Sequence, residues 1–149
     1  MNTKDIGDKS EAIIFCELVK RGFTVLKPWG DNRKYDFVVD IGKGDFQRIQ
    51  SKTGYIENGV IRFTPRSVTT ENGKTKTVSY SKDDIDFFMV YCRDNDKIYC
   101  ISIEDCPKDT CFLRLEPSKN GQTKGIRMAS NFELDKKITA LSSHGRANA

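Results

Sequence analysis

Three Asn-Gly dipeptides, Asn58-Gly59, Asn72-Gly73 and Asn120-Gly121, constrain this chain more than any other feature. A type I′ turn needs positive φ at both central residues, and Asn-Gly adopts it at little cost, so each pair marks a hairpin tip with a fixed register. Centring a hairpin on Asn72-Gly73 sets Thr70 against Thr75, Val68 against Thr77 and Arg66 against Ser79. Run back to residue 61, that ribbon carries Arg62, Thr64, Arg66, Thr70, Thr75, Thr77 and Ser79 on one face, with Val68 its apolar member. Ile61, Phe63, Pro65, Val78 and Tyr80 fall on the other. Centring a hairpin on Asn120-Gly121 sets Ser118 against Thr123, Leu115 against Ile126 and Leu113 against Met128. Arg114, Ser118, Thr123 and Arg127 then point outward. Both ribbons join an apolar root to a basic, hydroxyl-rich surface.

The remaining elements follow from periodicity. Residues 5–21 read as a helix capped by Ser10 or Asp8, with Ile14, Phe15, Leu18 and Val19 on one stripe and Gly22 at its end. Short strands are expected at 23–26, stopped by Lys27-Pro28-Trp29-Gly30, then at 34–41 and 46–56. Residues 86–92 and 97–103 form an apolar hairpin through Asp94-Asn95-Asp96 and make the centre of the core. A last helix is expected over 131–141. The whole of 1–149 reads as one α/β (α+β) domain with hairpin excursions, without repeats or linkers.

Composition narrows the chemistry. At 37% hydrophobic and 31% charged residues, with a mean hydropathy of −0.57, the core is lean. No run approaches the ~20 apolar residues of a membrane helix, and the charged N-terminus has no secretory h-region, so a cytoplasmic protein is expected. A net charge of +4 and a pI near 8.8 are compatible with a polyanionic partner. The five cysteines show no CxxC spacing and read as reduced, buried thiols. The single histidine, His144, lies in a polar tail, which excludes a histidine metal cluster and most histidine-dependent hydrolysis. Carboxylates, amides and lysines are left to do any chemistry.

Four such residues stand out. Glu11 lies on the stripe of Ile14, Phe15 and Leu18, where a core-facing carboxylate costs several kcal/mol unless it is paired or bound to a cation. The alternative is a solvated carboxylate in the first helical turn. Glu17 lies off the stripe and can pair with Lys20 or Arg21. Asp36 interrupts an apolar strand, where an edge-strand acid is the competing reading. Gln50 and Lys52, two apart on the next strand, must share a face. The order of helix acid, strand acid and polar-x-Lys suits metal-assisted phosphodiester hydrolysis. Glu11, Asp36 and the carbonyl of Ser51 are hard oxygen donors for Mg²⁺. Lys52 would orient water or stabilise developing charge, and no histidine is required.

Glu11…Asp36…Gln50-Ser51-Lys52 resembles the PD-(D/E)XK restriction-endonuclease-like nucleases over roughly residues 5–57, with Gln50 where the family usually has Asp or Glu. The Gln-x-Lys variant, small size and long hairpins resemble, more narrowly, the intron-encoded homing endonucleases of PD-(D/E)XK type found in cyanobacteria; the LAGLIDADG motif is absent. The resemblance implies a restriction-endonuclease-like core, a mixed β-sheet flanked by helices. It also implies a Mg²⁺-dependent, sequence-specific double-strand DNA endonuclease of a group I intron that leaves 5′-phosphate and 3′-hydroxyl ends. Glu11, Asp36, Gln50 and Lys52 would be catalytic, with Glu11, Asp36 and Ser51 on the metal. Tyr35, not Pro, precedes Asp36, so the PD half is poorly matched.

A two-stranded ribbon fits the DNA major groove. Arg62 and Arg66 could read guanines, and Thr64, Thr70, Thr75, Thr77 and Ser79 could contact bases or phosphates. Lys74 and Lys76 near the tip would add sequence-independent attraction. The second tip offers Ser118, Lys119, Asn120, Gln122, Thr123 and Lys124 beside Arg114 and Arg127, and the loop before Asp36 offers Arg33; each alone could be merely solvated. A domain of this length spans about one DNA turn, so a double-strand break calls for a homo-oligomer, at least a dimer; the narrower resemblance implies a tetramer. A Holliday-junction resolvase, a catalytically silent DNA-binding module and a structural interaction protein are the rivals.

Overall fold

The computed structural model describes residues 2–137. Helix α1 (Thr3–Lys20) starts earlier than its expected caps, because Asn2 is extended and its Oδ1 accepts from the Asp5 amide at 2.9 Å. Ser10 is buried instead. Its hydroxyl donates to the Ile6 carbonyl at 3.1 Å and shares a 2.6 Å hydrogen bond with Thr53 Oγ1, tying α1 to the sheet. Ile14 and Leu18 carry the buried stripe, while Glu17 reaches Lys20 at 3.5 Å and Arg21 at 3.6 Å. Cys16 is exposed, off that stripe, unlike buried Cys92, Cys100 and Cys111.

The main sheet has seven strands. β1 (Thr24–Leu26), β2 (Phe37–Asp40), β3 (Phe46–Glu57), β4 (Val60–Phe63) and β9 (Cys111–Arg114) form an antiparallel path. β7 (Phe87–Cys92) pairs in parallel with β3 and antiparallel with β8 (Lys97–Ser102), so the sheet is mixed, as expected. β5 (Arg66–Glu71) and β6 (Lys74–Ser79) form a separate two-stranded ribbon. Apolar side chains fill both faces. Ile14, Leu18, Phe37, Val39, Ile49 and Met89 pack between α1 and the sheet, while Ile61, Phe63, Phe88, Val90, Ile101 and Leu113 fill the opposite side.

Two of the three Asn-Gly pairs turn as their chemistry requires. Asn58 and Gly59 (φ 53° and 76°) join β3 to β4, and Asn72 and Gly73 (φ 51° and 75°) join β5 to β6. The second register is the expected one: Thr70 against Thr75, Val68 against Thr77 and Arg66 against Ser79. The ribbon does not, however, continue unbroken to residue 61. Pro65 has no amide for a ladder, so Arg62 and Thr64 stay beside the main sheet while Arg66 begins the free ribbon.

The third pair forms no β-hairpin. Asn120 lacks positive φ, and its Oδ1 accepts from the Gln122 amide at 3.1 Å, an Asx turn in place of a type I′ turn. β9 spends one edge on β4, the Leu115 amide donates to the Gly59 carbonyl at 3.1 Å, and Arg114 bridges Met128 in parallel. The expected facing of Leu113 with Met128 and Leu115 with Ile126, and the shared outer face of Arg114, Ser118, Thr123 and Arg127, are therefore not formed. Arg127 Nε instead donates to the Asp105 carbonyl at 3.0 Å and Arg114 Nε to the Glu116 carbonyl at 3.3 Å. Ser118, Lys119, Asn120, Gln122, Thr123 and Lys124 lie on an exposed loop.

At the C-terminal end, a 3-10 turn (Ala129–Asn131) precedes helical backbone at 134–137. The rest of the expected last helix, and His144, lie outside the described residues.

Candidate active site

β3 is the floor of the site. Its β7 edge is paired from Ile49 to Gly54. On the other edge β2 stops at Phe37 against Ile49, and β4 does not begin until Tyr55 against Arg62. Residues 50–54 therefore have no strand partner on that edge. β2 is shorter than the expected 34–41 because Asp36 turns its side chain into the gap, where Oδ2 accepts from the Ser51 amide at 2.8 Å and the Ser51 hydroxyl at 2.6 Å. In a strand, a residue's N–H and C=O point to the same edge, so the Ser51 carbonyl faces this split too.

A cleft of about 510 Å³ opens over the split, and Glu11, Asp36, Gln50, Ser51, Lys52, Arg62, Thr64 and Arg66 all line it. Residues from the helix, two strands and the root of the ribbon are thus brought together. Glu11 is not driven into the core; its carboxylate, about a quarter exposed, pairs with Lys27 Nζ at 2.8 Å. Lys52 shares a face with Gln50, and its ammonium donates to the Arg66 carbonyl at 2.7 Å and lies 5.4 Å from the Tyr80 ring centre.

Burial acts on Asp36 and Lys52 in opposite directions. Burial pushes the Asp36 carboxyl above its ordinary pKa, against the two Ser51 hydrogen bonds, and the nearby Glu11 charge pushes it further up. Burial lowers the Lys52 ammonium, and the Asp36 charge counters part of that. Arg66 adds a second cation: its Nη1 pairs with Asp109 at 3.8 Å, while its Nε is buried without a hydrogen-bond partner among the described residues.

No group of three His, Cys, Asp or Glu side chains suited to a metal ion occurs among the described residues. The cleft does offer the oxygens of two carboxylates, the Gln50 amide and the Ser51 backbone, which are hard donors of the kind Mg²⁺ takes. The residues present fit such an ion.

Arg33 lines a second recess, of about 230 Å³, which shares Glu11 and Asp36 with the cleft and also contains Lys27. Thr70, Lys74, Thr75, Lys76, Thr77 and Ser79 are exposed along the ribbon, outside the cleft. Arg62 is held by Glu57 at 2.9 Å. Sequence reasoning missed Lys27, the Ser10–Thr53 link and Tyr80. A lysine sixteen residues from Glu11, just past β1, carries no periodic signal; alternation puts Tyr80 on the ribbon's apolar face but does not connect it to Lys52.

The family model described as PD-(D/E)XK endonuclease matches residues 1–135. Among solved structures, a bacterial homing endonuclease, I-Ssp6803I, is similar with a TM-score of 0.76 and 22% identity, over 99% of this chain and 97% of that one. At that identity the likeness speaks for the fold. No curated protein matches.

Proposed function

The chain belongs to the PD-(D/E)XK endonuclease family, and from that premise we propose that it is a Mg²⁺-dependent, sequence-specific double-strand DNA endonuclease of the intron-homing kind. The observation that carries this reading is the break in pairing along β3, where Asp36 holds the Ser51 amide and Glu11, Gln50 and Lys52 line the same cleft. The similarity to a bacterial homing endonuclease favours homing over other nuclease roles.

Glu11, Asp36 and the Ser51 carbonyl would hold the cation, with Gln50 supporting it or a water. Nucleases of this family generally use divalent metals, and Mg²⁺ would draw charge from the scissile phosphate and make water a better nucleophile. Lys52 is the residue that acts on the reacting atoms, orienting the water or meeting charge as it develops. Its low-polarity setting strengthens that contact. Ser51 keeps Asp36 in one orientation with two hydrogen bonds, so the carboxylate need not reorganise.

Arg62, Thr64 and Arg66 on the cleft wall, and Arg33 in the recess, would meet the strand being cut. The ribbon bearing Thr70, Lys74, Thr75, Lys76, Thr77 and Ser79 would enter the major groove. Arg114 at the end of β9, Ser118, Lys119, Asn120, Gln122, Thr123 and Lys124 on the loop that follows, and Arg127 beyond it would add backbone contacts. A break in both strands requires two such sites, so the protein would act as a homodimer or a tetramer of two dimers.

Incubation with randomised duplex DNA and Mg²⁺, followed by sequencing of cut ends, tests the proposal. Recurrent ends with 5′-phosphates at one sequence are expected. Cutting confined to four-way junctions would make the protein a resolvase, and binding without cutting would make it a silent DNA-binding module.

A further inference from the structure

Trp29 is the chain's single tryptophan and is fully exposed, whereas the other exposed large apolar side chains among the described residues range from 36% to 63%. An indole left in water forfeits more apolar burial than most side chains can. It is also held there. The connection from β1 to β2 is clamped at one end by Lys27 on Glu11 at 2.8 Å and at the other by Lys34 on Asp84 at 3.3 Å, and Tyr35 packs against the core. Pro28 fixes φ just before the indole, and Gly30, with φ +84°, makes the turn just after it. The indole thus stands at the crest of an anchored loop.

Pro28, Gly30, Asp31 and Arg33 of that loop line the 230 Å³ recess, which shares Glu11 and Asp36 with the main cleft. In the chain, Lys27, Arg33 and Lys34 surround Trp29, with Asp31 the one acid between them; Lys27 and Lys34 are engaged by Glu11 and Asp84, so Arg33 is the cation this loop offers at the recess. A protein-docking patch would surround the indole with apolar side chains. Here the residues beside it in the chain are Lys27, Pro28, Gly30 and Asp31. An exposed aromatic face on the loop that carries Arg33 suits the π-face and phosphates of nucleic acid.

We infer that Trp29 is a base-stacking residue, packing its indole on a nucleobase of the bound DNA while Arg33 meets the adjoining backbone, and so fixing the strand across Glu11 and Asp36. The inference rests on the endonuclease reading and adds to it a contact outside the cleft and the ribbon.

Trp29 is its own probe. Duplexes enriched by the wild-type protein from a random pool are fluorescein-labelled and titrated in Ca²⁺, with anisotropy reporting binding and indole emission reporting stacking. Emission should be quenched in step with the anisotropy rise. Trp29→Ala should bind the same duplexes about 5- to 150-fold more weakly, and Trp29→Phe should recover most of the loss. Anisotropy that saturates while emission stays constant would overturn the inference and leave the endonuclease reading standing. A blue shift with protein concentration before DNA is added would assign the indole to a contact between copies and likewise overturn it. No duplex binding at all would overturn both.

Discussion

Replacing Lys52 with Met separates catalysis from stability more cleanly than any other change. Methionine keeps much of the stem against Tyr80 and deletes the charge. The folded protein then loses a charge-assisted hydrogen bond to the Arg66 carbonyl, worth about 1.5–3 kcal/mol, and a cation–π contact at 5.4 Å, worth about 0.5–1 kcal/mol. Against this, the ammonium's lowered pKa means that burial penalises its charge more than its surroundings repay, and water in the open cleft can take over the carbonyl. Net stability should move by no more than about 1 kcal/mol. Cleavage should fall about 10²- to 10³-fold, as when one charge-stabilising donor is removed from a transition state. Single-turnover cleavage in Mg²⁺, DNA affinity in Ca²⁺ and urea unfolding measure the three quantities. Cleavage within about fivefold of wild type, or a matching loss of DNA affinity, would refute the assignment of Lys52 to the transition state.

Gln50→Glu should retain cleavage and reach half-maximal rate at lower Mg²⁺, because a third carboxylate joins Glu11 and Asp36; complete inactivity in the folded variant would mean that the amide's donor side is needed. Lys27→Met removes the ammonium that holds Glu11 at 2.8 Å, so terbium luminescence should report tighter cation binding, and weaker binding would make Lys27 an organiser of the site and not a competitor. Burial raises the Asp86 carboxyl, but hydrogen bonds from the Arg48 side chain and amide outweigh it and hold the pKa below the ordinary value. Its stabilisation is therefore full above the unfolded pKa and lost as the pH falls through the folded one, below about pH 4. Asp86→Asn should cost about 1–2 kcal/mol at pH 7, the lower range for a partly exposed pair, and flatten the acid limb of the melting curve; an unchanged acid limb would contradict this.

The legible parts of the chain were those where local chemistry and tertiary pairing agree. Asn72-Gly73 sits between runs with strand character, and its register is the one the turn dictates. Asn120-Gly121 carries the same dipeptide but lies between Pro117 and Gly125 without apolar alternation, and β9 gives its edge to β4, so the dipeptide's preference is overruled. Gln50 and Lys52 share a face because strand alternation leaves no choice. The gap beside them was not legible, since it depends on where β2 stops and β4 begins. Asp36 illustrates the difference: its type and place in the order pointed to the site, yet its role in taking the Ser51 amide exists only once β2 has ended. The apolar stripe leaves Glu11 open between a paired or cation-bound acid and a solvated one, because no pattern in the sequence connects it to Lys27.

If carboxylates at the unpaired edge of β3 make this a metal-dependent DNA endonuclease, cleavage of one selected duplex across a Mg²⁺ titration must depend both on the metal and on Asp36, as comparison of wild type with Asp36→Asn will read out. Wild type should cut in proportion to Mg²⁺ occupancy and leave 5′-phosphates, while Asp36→Asn, still folded and still bound to the duplex in Ca²⁺, should not cut at any Mg²⁺ concentration. Wild-type cleavage by Asp36→Asn, or cutting by wild type that persists in excess chelator, would contradict the claim.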